Sequence, residues 1–474
     1  MSAELLLSVS PGEVRGALLE DDRVVELMIE RPDGDTGAGA IHLGRVTAVV
    51  ESLNAAFVDI GGGTAAFLPA SAAGPGGATA GKRSIAALVH EGEAVLVQTT
   101  RAAGDDKGPK ATRRLTLAGH RLVLRPDEPG VAAGRRLADA AERARLTAIV
   151  EKLAKKGEGF ILRSAAAGAS AETLAAEAEI LRARWRAVTE AARTRRPPAL
   201  LDAEPGPVER ILRDHLPADA ARLVLDGRAG FAAASAWCRR FRPELAERIE
   251  VAGADLFETR GVEAAIDEAL GVTVALPSGG TLAIEPTRAL TAVDVDTGGD
   301  ARAGGQARSI LQTNLEAAAE VARQLRLRNI GGLVAIDFVH MRDAAHRREV
   351  AAALRRAAAA DAMAVEVGEI TRFGLLELTR RRERPSLAEL LLDPPFALGR
   401  RNVLSVALAA LRAVLRAAER GAGAPVLKAA PEVVAALRGP AAEALAETEK
   451  ALGRSLLLVA EPSRARETIE VLRR

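Results

Sequence analysis

The sequence predicts a protein of several α/β and α+β domains, and three features of the chain support this. First, 474 residues are enough for two to four domains with hydrophobic cores of their own. Second, short apolar runs broken by turn residues dominate the first 120 residues, whereas Ala-rich amphipathic stretches dominate residues 121–200. Third, a strand, helix, strand succession in residues 287–341 predicts a βαβ unit with two parallel strands.

Composition and charge exclude several classes of protein. Hydrophobic residues make up 48% of the chain and charged residues 27%, which is typical of a globular rather than a disordered protein. The net charge of +2 only weakly favours a polyanionic partner. The single cysteine, Cys238, excludes an intrachain disulfide framework and a Cys-rich zinc site, and it favours a reducing cytoplasm. We expect no membrane span and no secretory signal, because no apolar run approaches about 20 residues and the first residues lack a basic start.

The first 120 residues are predicted to form strands. Residues 1–34 contain short strand-forming runs separated by Pro-Gly, Asp-Asp and Pro-Asp-Gly, which indicates a β-meander. Residues 39–120 add five short strands with Gly-rich turns, a pattern typical of a small OB-type barrel. OB folds bind single strands by stacking bases on aromatic rings beside basic side chains. Phe57 and Phe67 are candidates for such rings, although both could be core residues, and the nearby basic residues are Lys107, Lys110, Arg113 and Arg114.

Residues 121–285 are predicted to be mixed in structure. Two amphipathic helices occupy most of residues 121–200, and Pro197-Pro198 ends the second. Between these helices, the run GFILRSAAAGAS predicts a short strand and loop that carry Arg163 and Ser164. An Arg beside a hydroxyl group can bind a phosphate, although an ordinary solvated loop is the simpler interpretation. Residues 201–285 mix helices and strands.

The predicted βαβ unit carries acidic residues among apolar ones. Its first strand, in TRALTAVDVDTGGD, ends near Asp294 and Asp296, and its second, in GGLVAIDFVHM, holds Asp337. A carboxylate in a buried strand costs several kcal/mol unless it is paired or bound to a metal. Because the carboxyl ends of parallel strands form the usual ligand edge of an α/β sheet, we expect Asp294 and Asp337 to lie side by side. Capping of the following loop or helix is the alternative role for these aspartates.

Two adjacent carboxylates would repel each other unless a cation lay between them. Oxygen ligands favour Mg²⁺ or Mn²⁺ over zinc, and Mg²⁺ is typically held by one or two carboxylates together with substrate phosphates. The sequence therefore predicts a divalent metal site that acts on a phosphoryl substrate. The basic run in residues 366–387, which includes Arg372 and Arg380, would lie near this site as a phosphate clamp, or would be a solvated face.

The remainder of the chain predicts a helix at residues 342–360 and, from residue 400 onward, a small α+β domain. This last section opens with a helix that has an apolar stripe at residues 403–416 and continues with short strand and helix units. The stripe, together with the small carboxy-terminal domain, is a candidate surface for a homodimer, because pairing of one apolar patch about a twofold axis is the commonest route to an oligomer.

Four passages of the sequence are specific when they occur together and in this order: AAFVDIGGGTAAFLPAS, LTAVDVDTGGD, TNLEAAAEVARQLRLRNIGGLVAIDFVHM and TRFGLLELTRRR. They resemble the ribonuclease E/G family of bacterial endoribonucleases, and the resemblance covers nearly the whole chain. The short amino-terminal lead MSAELLLSV is more similar to the ribonuclease G branch.

The resemblance implies a particular order of subdomains. An RNase H-like subdomain, formed by residues 1–36 and 201–276, would receive two insertions: an OB-fold RNA-binding barrel at 37–120 and a 5′-end sensor subdomain at 121–200. A DNase I-like catalytic subdomain with the metal site would follow at 277–398, and a small carboxy-terminal domain at 399–474.

The resemblance also implies roles for individual residues. Asp294 and Asp337 match the two metal-binding aspartates of the family, and Asp296 stands where the family usually has Asn, which adds a carboxylate near the metal. The base-contacting aromatics and their basic partner match Phe57, Phe67 and Lys107. The pocket for a 5′-monophosphate end, an Arg followed by Thr, matches Arg163 and Ser164.

One departure from the family concerns zinc. Family members carry a Cys-Pro-x-Cys motif shortly after RPSL, and its thiolates share a zinc ion between protomers. The corresponding stretch here, RPSLAELLLDPPFALGRR, contains no cysteine. We therefore expect no structural zinc, and any homodimer must form without that link.

Together these observations predict a cytoplasmic, Mg²⁺-dependent endoribonuclease, with Mn²⁺ as the alternative ion. Its substrates would be single-stranded RNA, namely rRNA precursors or mRNA, with a preference for 5′-monophosphorylated ends and with 5′-phosphate products. The alternative is a non-catalytic single-stranded RNA-binding protein that keeps the barrel. A deoxyribonuclease or phosphodiesterase that uses the same metal site is a third interpretation.

Overall fold

The computed structural model describes residues 3–31, 38–74, 83–101, 108–134, 137, 139–298, 306–361, 363–382, 384–394, 396, 399–419 and 425–473. Contacts divide the chain into two units. The first consists of Met1–Arg31, Asp219–Ala236 and Glu244–Arg474, and the second of Pro32–Ala218 and Trp237–Pro243. Strands and helices are numbered below in chain order.

A five-stranded sheet begins the first unit. Its strands are β1 (Ala3–Ser10), β2 (Glu13–Glu20), β3 (Arg23–Glu30), β14 (Ala220–Asp226) and β15 (Ile249–Ala252), in the order β15-β14-β1-β2-β3. The predicted meander is β1 to β3, and its second turn has positive φ angles at Asp21 and Asp22, as a two-residue hairpin requires. β14 and β15 add in parallel to β1. The helices α7 (Leu256–Thr259) and α8 (Val262–Leu270) pack against this sheet, and the chain also forms α5 (Arg228–Phe241) and α6 (Pro243–Ala246), of which residues 237–243 belong to the second unit.

A six-stranded sheet follows in the same unit. Its elements are β16 (Thr273–Ala275), β17 (Thr281–Pro286), β18 (Thr291–Asp296), α9 (Gln306–Leu327), β19 (Gly332–Asp337), α10 (Ala344–Ala358), β20 (Val365–Ile370) and β21 (Leu375–Arg380), with strand order β16-β17-β18-β19-β21-β20. The predicted βαβ unit is β18-α9-β19, and its strands are adjacent and parallel. Helices α9 and α10 pack on one face of this sheet and share a hydrophobic core with it.

The last part of the first unit combines helices and strands, in keeping with the α+β pattern of the sequence. Its elements, with the helix that precedes it, are α11 (Leu387–Leu391), α12 (Val403–Glu419), β22 (Pro425–Ala429), α13 (Pro431–Arg438), α14 (Ala442–Leu452), β23 (Leu457–Ala460) and β24 (Glu470–Arg473). The apolar stripe of α12 is buried here, because Val406, Leu411 and Val414 lie in a core shared with α13, α14 and β22. The prediction that this stripe mediates a homodimer was therefore wrong, whereas the other surface named with it, that of the small carboxy-terminal domain, stays a prediction.

A buried carboxylate links α12 to the first sheet. Glu13 is only 2% exposed and accepts hydrogen bonds from Arg412 Nη1 at 2.6 Å and from Arg31 Nε at 3.1 Å. Burial alone would raise the pKa of Glu13, but the positive charges of Arg412, Arg31 and Arg15 outweigh it and hold the pKa below its ordinary value. Glu13 is therefore ionised at neutral pH, and the ion pairs satisfy a charge that would otherwise be costly to bury.

The second unit contains the five-stranded barrel predicted for residues 37–120. Its strands are β4 (Ile41–Val50), β5 (Ala55–Asp59), β6 (Ala66–Pro69), β7 (Ala94–Arg101) and β8 (Lys110–Thr112), and the short helix α1 (Ala70–Ala73) follows β6. The strands close in the order β4-β5-β6-β8-β7 because the long strand β4 pairs with both β5 and β7. This arrangement confirms an OB-like barrel. The later strand β13 (Ala199–Asp202) also pairs with β4, which the sequence did not predict.

A four-stranded sheet and its helices complete the second unit. The elements are β9 (Leu117–Ala118), β10 (Leu122–Arg125), β11 (Gly130–Ala133), α2 (Ala140–Leu153), β12 (Gly159–Leu162), α3 (Ala171–Thr194) and α4 (Pro207–His215). The two predicted amphipathic helices are α2 and α3, and they cover a core that includes Leu146, Phe160 and Leu181. In the described ranges of both units, no helix combines the length and apolar content needed to cross a membrane.

Candidate functional site

The parallel register of β18 and β19 places two carboxylates opposite each other. Asp294 pairs directly with Asp337, and Val293 pairs with Ile336. Because side chains alternate along a strand, Val293 and Ile336 point into the core with α9 and α10, whereas both aspartates are exposed on the opposite face. The expectation that Asp337 is a charge inside a buried strand was therefore wrong. Neighbouring strands lie about 4.8 Å apart, so one ion could contact both carboxylates.

The surroundings of Asp294 and Asp337 leave both carboxylates available. Neither accepts a hydrogen bond or forms an ion pair with a residue in the described part of the chain. Asp296 lies on the same face, but its Oδ1 accepts a hydrogen bond from the backbone N–H of Gly298 at 3.2 Å, as a turn cap does. Within the described ranges, no group of three or more His, Cys, Asp or Glu could hold a metal. Two protein oxygens with room for water and phosphate suit a small, hard divalent cation.

Asn314 positions the end of β19, and the sequence analysis did not single it out. The side-chain N–H₂ of Asn314 donates to the carbonyl of Val339 at 2.8 Å, and the backbone N–H of Val339 donates to Asn314 Oδ1 at 3.1 Å. Asn314 is fully buried, and Val339 lies two residues after Asp337. The available signal was its position on the apolar face of α9, four residues after Ile310 and three after Leu311. A buried amide at such a position needs partners, which here belong to the site loop.

The turn between β20 and β21 brings Arg372 next to the same edge. Leu375, at the start of β21, is the register partner of Asp337, so residues 371–374 form a tip beside that carboxylate. Arg372 is exposed, and its guanidinium carbon lies 4.6 Å from the ring centre of Phe373. Arg372 lies in this turn, and its role as a phosphate clamp stays a prediction.

In the second unit, Phe57 and Phe67 form one aromatic pair on the outer surface of the barrel. They are direct partners across β5 and β6, and their ring centres are 5.9 Å apart at an interplanar angle of 65°. Both rings are half-buried, while their neighbours Val58 and Leu68 point into the barrel core. Neither ring belongs to that core. Lys110 is exposed and is the register partner of Phe67, whereas Lys107 lies outside the described residues.

Arg163 and Ser164 lie at the end of β12 in the second unit. Arg163 Nη2 donates to Asp214 Oδ1 at 2.5 Å, and Nη1 donates to the carbonyl of Gly119 at 3.3 Å. Burial alone would raise the pKa of Asp214, but hydrogen bonds from Arg213 and the charges of Arg213 and Arg163 hold the pKa far below its ordinary value. Asp214 is thus a permanent anion that fixes the Arg163 side chain. Ser164 is exposed beside it, so the pair presents one oriented cation and one hydroxyl group.

Comparison with known proteins identifies the family. Residues 116–383, more than half of the chain, match the model of the Ribonuclease E/G family. The chain belongs to the ribonuclease E/G family. It is 34% identical to Ribonuclease G of Escherichia coli (strain K12) over an alignment of 489 positions, which covers 100% of both chains. It is also 36% identical to Ribonuclease G of Haemophilus influenzae over 416 residues, 85% of each chain.

Ribonuclease E of Haemophilus influenzae is 35% identical over 397 residues, which cover 82% of this chain and 42% of that protein. Family membership makes this chain an endoribonuclease and confirms the resemblance on which the sequence analysis relied. It also confirms the RNA-binding character expected from the barrel.

Arg380 of this ribonuclease E/G family member does not lie where the sequence analysis expected it. It is 5% exposed, at the end of β21, and its Nε donates to Asp361 Oδ2 at 2.7 Å. Its Nη1 donates to Asn329 Oδ1 at 3.0 Å and to the carbonyl of Ile330 at 2.8 Å. A guanidinium that is shielded from solvent and paired with a buried carboxylate does not reach RNA. We correct the prediction for Arg380, which is a structural residue, while Arg372 keeps its exposed position.

Substitution of Arg380 should therefore affect stability rather than RNA binding. In Arg380→Met, Asp361 would be left as an unpaired carboxylate whose side chain is only 3% exposed. Breaking such a pair typically costs about 3–5 kcal/mol, which should appear as a lower urea midpoint. The matched control is Arg372→Met at the exposed tip, which should change stability by less than about 0.5 kcal/mol. An Arg380→Met protein with unchanged stability and weakened RNA binding would restore the original assignment.

Proposed function

We propose that this endoribonuclease hydrolyses phosphodiester bonds of single-stranded RNA at the edge formed by Asp294 and Asp337, with Mg²⁺ as cofactor and Mn²⁺ as the alternative. The observation that carries the proposal is the direct pairing of two carboxylates, exposed and without partners among the described residues, in a chain of the ribonuclease E/G family. Two like charges directly opposite each other on adjacent strands destabilise a sheet. A cation bound between the two carboxylates would offset this repulsion.

Each residue of the site would have a distinct role in cleavage. Asp294 and Asp337 would each present a carboxylate oxygen, and their separation is set by the sheet, so little reorganisation is needed on binding. Asn314 would hold the loop after β19, which keeps Asp337 at its place. When bound, Mg²⁺ would supply a water of lowered pKa for in-line attack and would offset the charge on the phosphate. Cleavage on the 3′-oxygen side would leave 5′-phosphate and 3′-hydroxyl ends.

The second unit would bind the RNA strand and its end. Phe57 and Phe67 have half-exposed rings beside the cation of Lys110, and these are the components of a single-strand stacking surface. Lys107 would add a second cation. Arg163 and Ser164 would contact a 5′-monophosphate through a charge-assisted hydrogen bond and a hydroxyl group. This would give the enzyme its preference for 5′-monophosphorylated RNA.

The proposal extends to the finer architecture and to cellular role. The five-stranded sheet of the first unit would be the RNase H-like subdomain, the six-stranded sheet the DNase I-like catalytic subdomain, and residues 121–200 the 5′-end sensor. The substrates would be rRNA precursors and mRNA in the cytoplasm, where the buried thiol of Cys238 would remain reduced. The similarity to proteins named Ribonuclease G along their full length supports this role.

Removing either carboxylate should abolish cleavage. For Asp294→Asn and Asp337→Asn we expect single-turnover cleavage of a 5′-monophosphorylated oligoribonucleotide to fall by more than about 1,000-fold, because several kcal/mol of charge stabilisation would be lost. Binding of the RNA in EDTA should be nearly unchanged, since the barrel is not altered. Asp296→Asn is the matched control, with the same change of charge on the same sheet face, and should keep most of the activity. Near-normal turnover of either test variant in Mg²⁺ would show that its carboxylate is not a ligand.

The aromatic pair of the barrel should contribute to RNA affinity. Phe57→Ala and Phe67→Ala should each weaken binding of a single-stranded oligoribonucleotide by about 1–3 kcal/mol, because each would remove a stacking surface for a base. Leu53→Ala is the control, since Leu53 is an exposed, non-aromatic residue of the β4–β5 turn at 58% exposure. Fluorescence anisotropy and thermal melting should be measured together. A large fall in melting temperature, or unchanged affinity, would count against stacking.

A further inference from the structure

Phe373 is the most exposed large apolar side chain in the described part of the chain. Its exposure is 73%, whereas most large apolar side chains are buried in the cores. The chain contains only nine Phe and two Trp, so an aromatic ring left in water is a rare use of this residue type here. A single exposed apolar side chain is normal on a protein surface, but this ring lies beside the proposed metal edge, where an RNA strand would bind.

The turn that carries Phe373 is ordered by its own hydrogen bonds. The N–H of Thr371 donates to the carbonyl of Leu375 at 2.8 Å, and the N–H of Gly374 donates to the carbonyl of Thr371 at 3.1 Å. The N–H of Phe373 donates to Thr371 Oγ1 at 3.3 Å. Gly374 has a φ of +93°, a conformation that favours glycine. These hydrogen bonds order the backbone of the turn and so fix the point from which the Phe373 side chain projects.

This turn is in contact with the candidate metal edge. Leu375 is the register partner of Asp337, and a Cβ placed on Gly374 would lie 3.8 Å from Asp337 Oδ1. Phe373 immediately precedes Gly374, which lies next to the Asp337 carboxylate. An RNA strand whose phosphate lies between Asp294 and Asp337 would have an adjacent nucleotide within reach of the ring.

Arg372 makes the ring suitable for a nucleobase rather than for an apolar protein surface. Its guanidinium lies over one face of the ring at 4.6 Å, while the high exposure of Phe373 leaves the other face open. A polyanion would meet a positive charge at the tip, and each base of a single strand offers a flat π-face for stacking. An apolar protein partner would instead have to desolvate the charge of Arg372.

We propose that Phe373, backed by Arg372, stacks on a nucleobase adjacent to the scissile phosphate. This inference rests on the proposed function of Asp294 and Asp337, and it adds a base contact within the first unit. Stacking there would align the phosphate with the carboxylates, so Phe373 would contribute to the rate of cleavage as well as to affinity.

An abasic scan tests the contact. A series of single-stranded oligoribonucleotides with one cleavage site would carry one abasic ribose, moved position by position across the scissile bond. kcat/KM in Mg²⁺ would be measured for wild type, Phe373→Ala, Phe373→Tyr and Leu333→Ala. Leu333 is the matched control, because it is an exposed apolar residue of β19, at 40% exposure, on the same sheet face but away from the tip.

Stacking predicts a specific pattern. Phe373→Ala should lower kcat/KM on intact RNA by about 5- to 150-fold, and Phe373→Tyr and Leu333→Ala should remain near wild type. Wild type should lose a similar factor when the base is missing at one position next to the cleavage site. At that position alone, Phe373→Ala should lose nothing further, because the partner of the ring is already gone.

The inference is overturned if Phe373→Ala cleaves intact RNA like wild type. It is also overturned if the variant and the missing base act independently at every position, the result expected if the ring supports the fold or binds another protein. Asp337→Asn, assayed in parallel, separates this failure from failure of the proposed function. An active Asp337→Asn protein contradicts the assignment of the metal edge, whereas an inactive one without coupling at Phe373 contradicts only the stacking contact.

Discussion

The parallel register between β18 and β19 fixes Asp294 opposite Asp337, and the rest of the proposed site depends on it. A slip of one residue would turn every side chain of a strand to the opposite face and bring a carboxylate into the hydrophobic core. The helices α9 and α10 prevent this, because they pack against Val293, Val334 and Ile336 on the other face. Core packing on one side of the sheet thus determines the geometry of the charges on the other.

Carboxylates in this protein fall into two groups with opposite surroundings. Asp361 and Glu13 are shielded from solvent and Asp214 is partly exposed, and all three are paired with arginines, which are abundant in a chain with 65 basic and 63 acidic residues. Asp294 and Asp337 are exposed, adjacent and without a partner among the described residues. Buried pairs satisfy charges that would be costly to leave alone, whereas two adjacent unpaired charges lower stability. Departures from stable design of this kind are expected at functional sites.

Local pattern was sufficient to predict much of the fold. Apolar periodicity located β18, α9 and β19, and turn residues located the strands of the barrel. The same pattern gave a wrong prediction of burial where the two faces of a strand have different surroundings. GLVAID reads as one apolar run, yet Leu333 and Asp337 face outward while Val334 and Ile336 face the core.

The pattern of apolar and turn residues could not predict contacts between residues that are far apart in the sequence. Arg372 and Arg380 belong to one basic run, but β21 turns Arg380 inward to Asp361, 19 positions away in sequence. The apolar stripe of α12 could equally have faced another protomer, and only the packing of α13, α14 and β22 shows that it is internal. The role of Asn314 could not be predicted for a related reason: its hydrogen-bond partner Val339 lies in the loop after β19.

The most direct test of this account is the location of a bound metal ion. Crystals of the full chain soaked in Mn²⁺ would be examined by anomalous scattering, which identifies the ion independently of activity. The account predicts one strong peak within coordination distance of an oxygen of Asp294 and an oxygen of Asp337, and no such peak in crystals of Asp337→Asn. Crystals of an enzyme that is active in Mn²⁺ but has no ion between these two carboxylates, or has its only ion elsewhere, would contradict it.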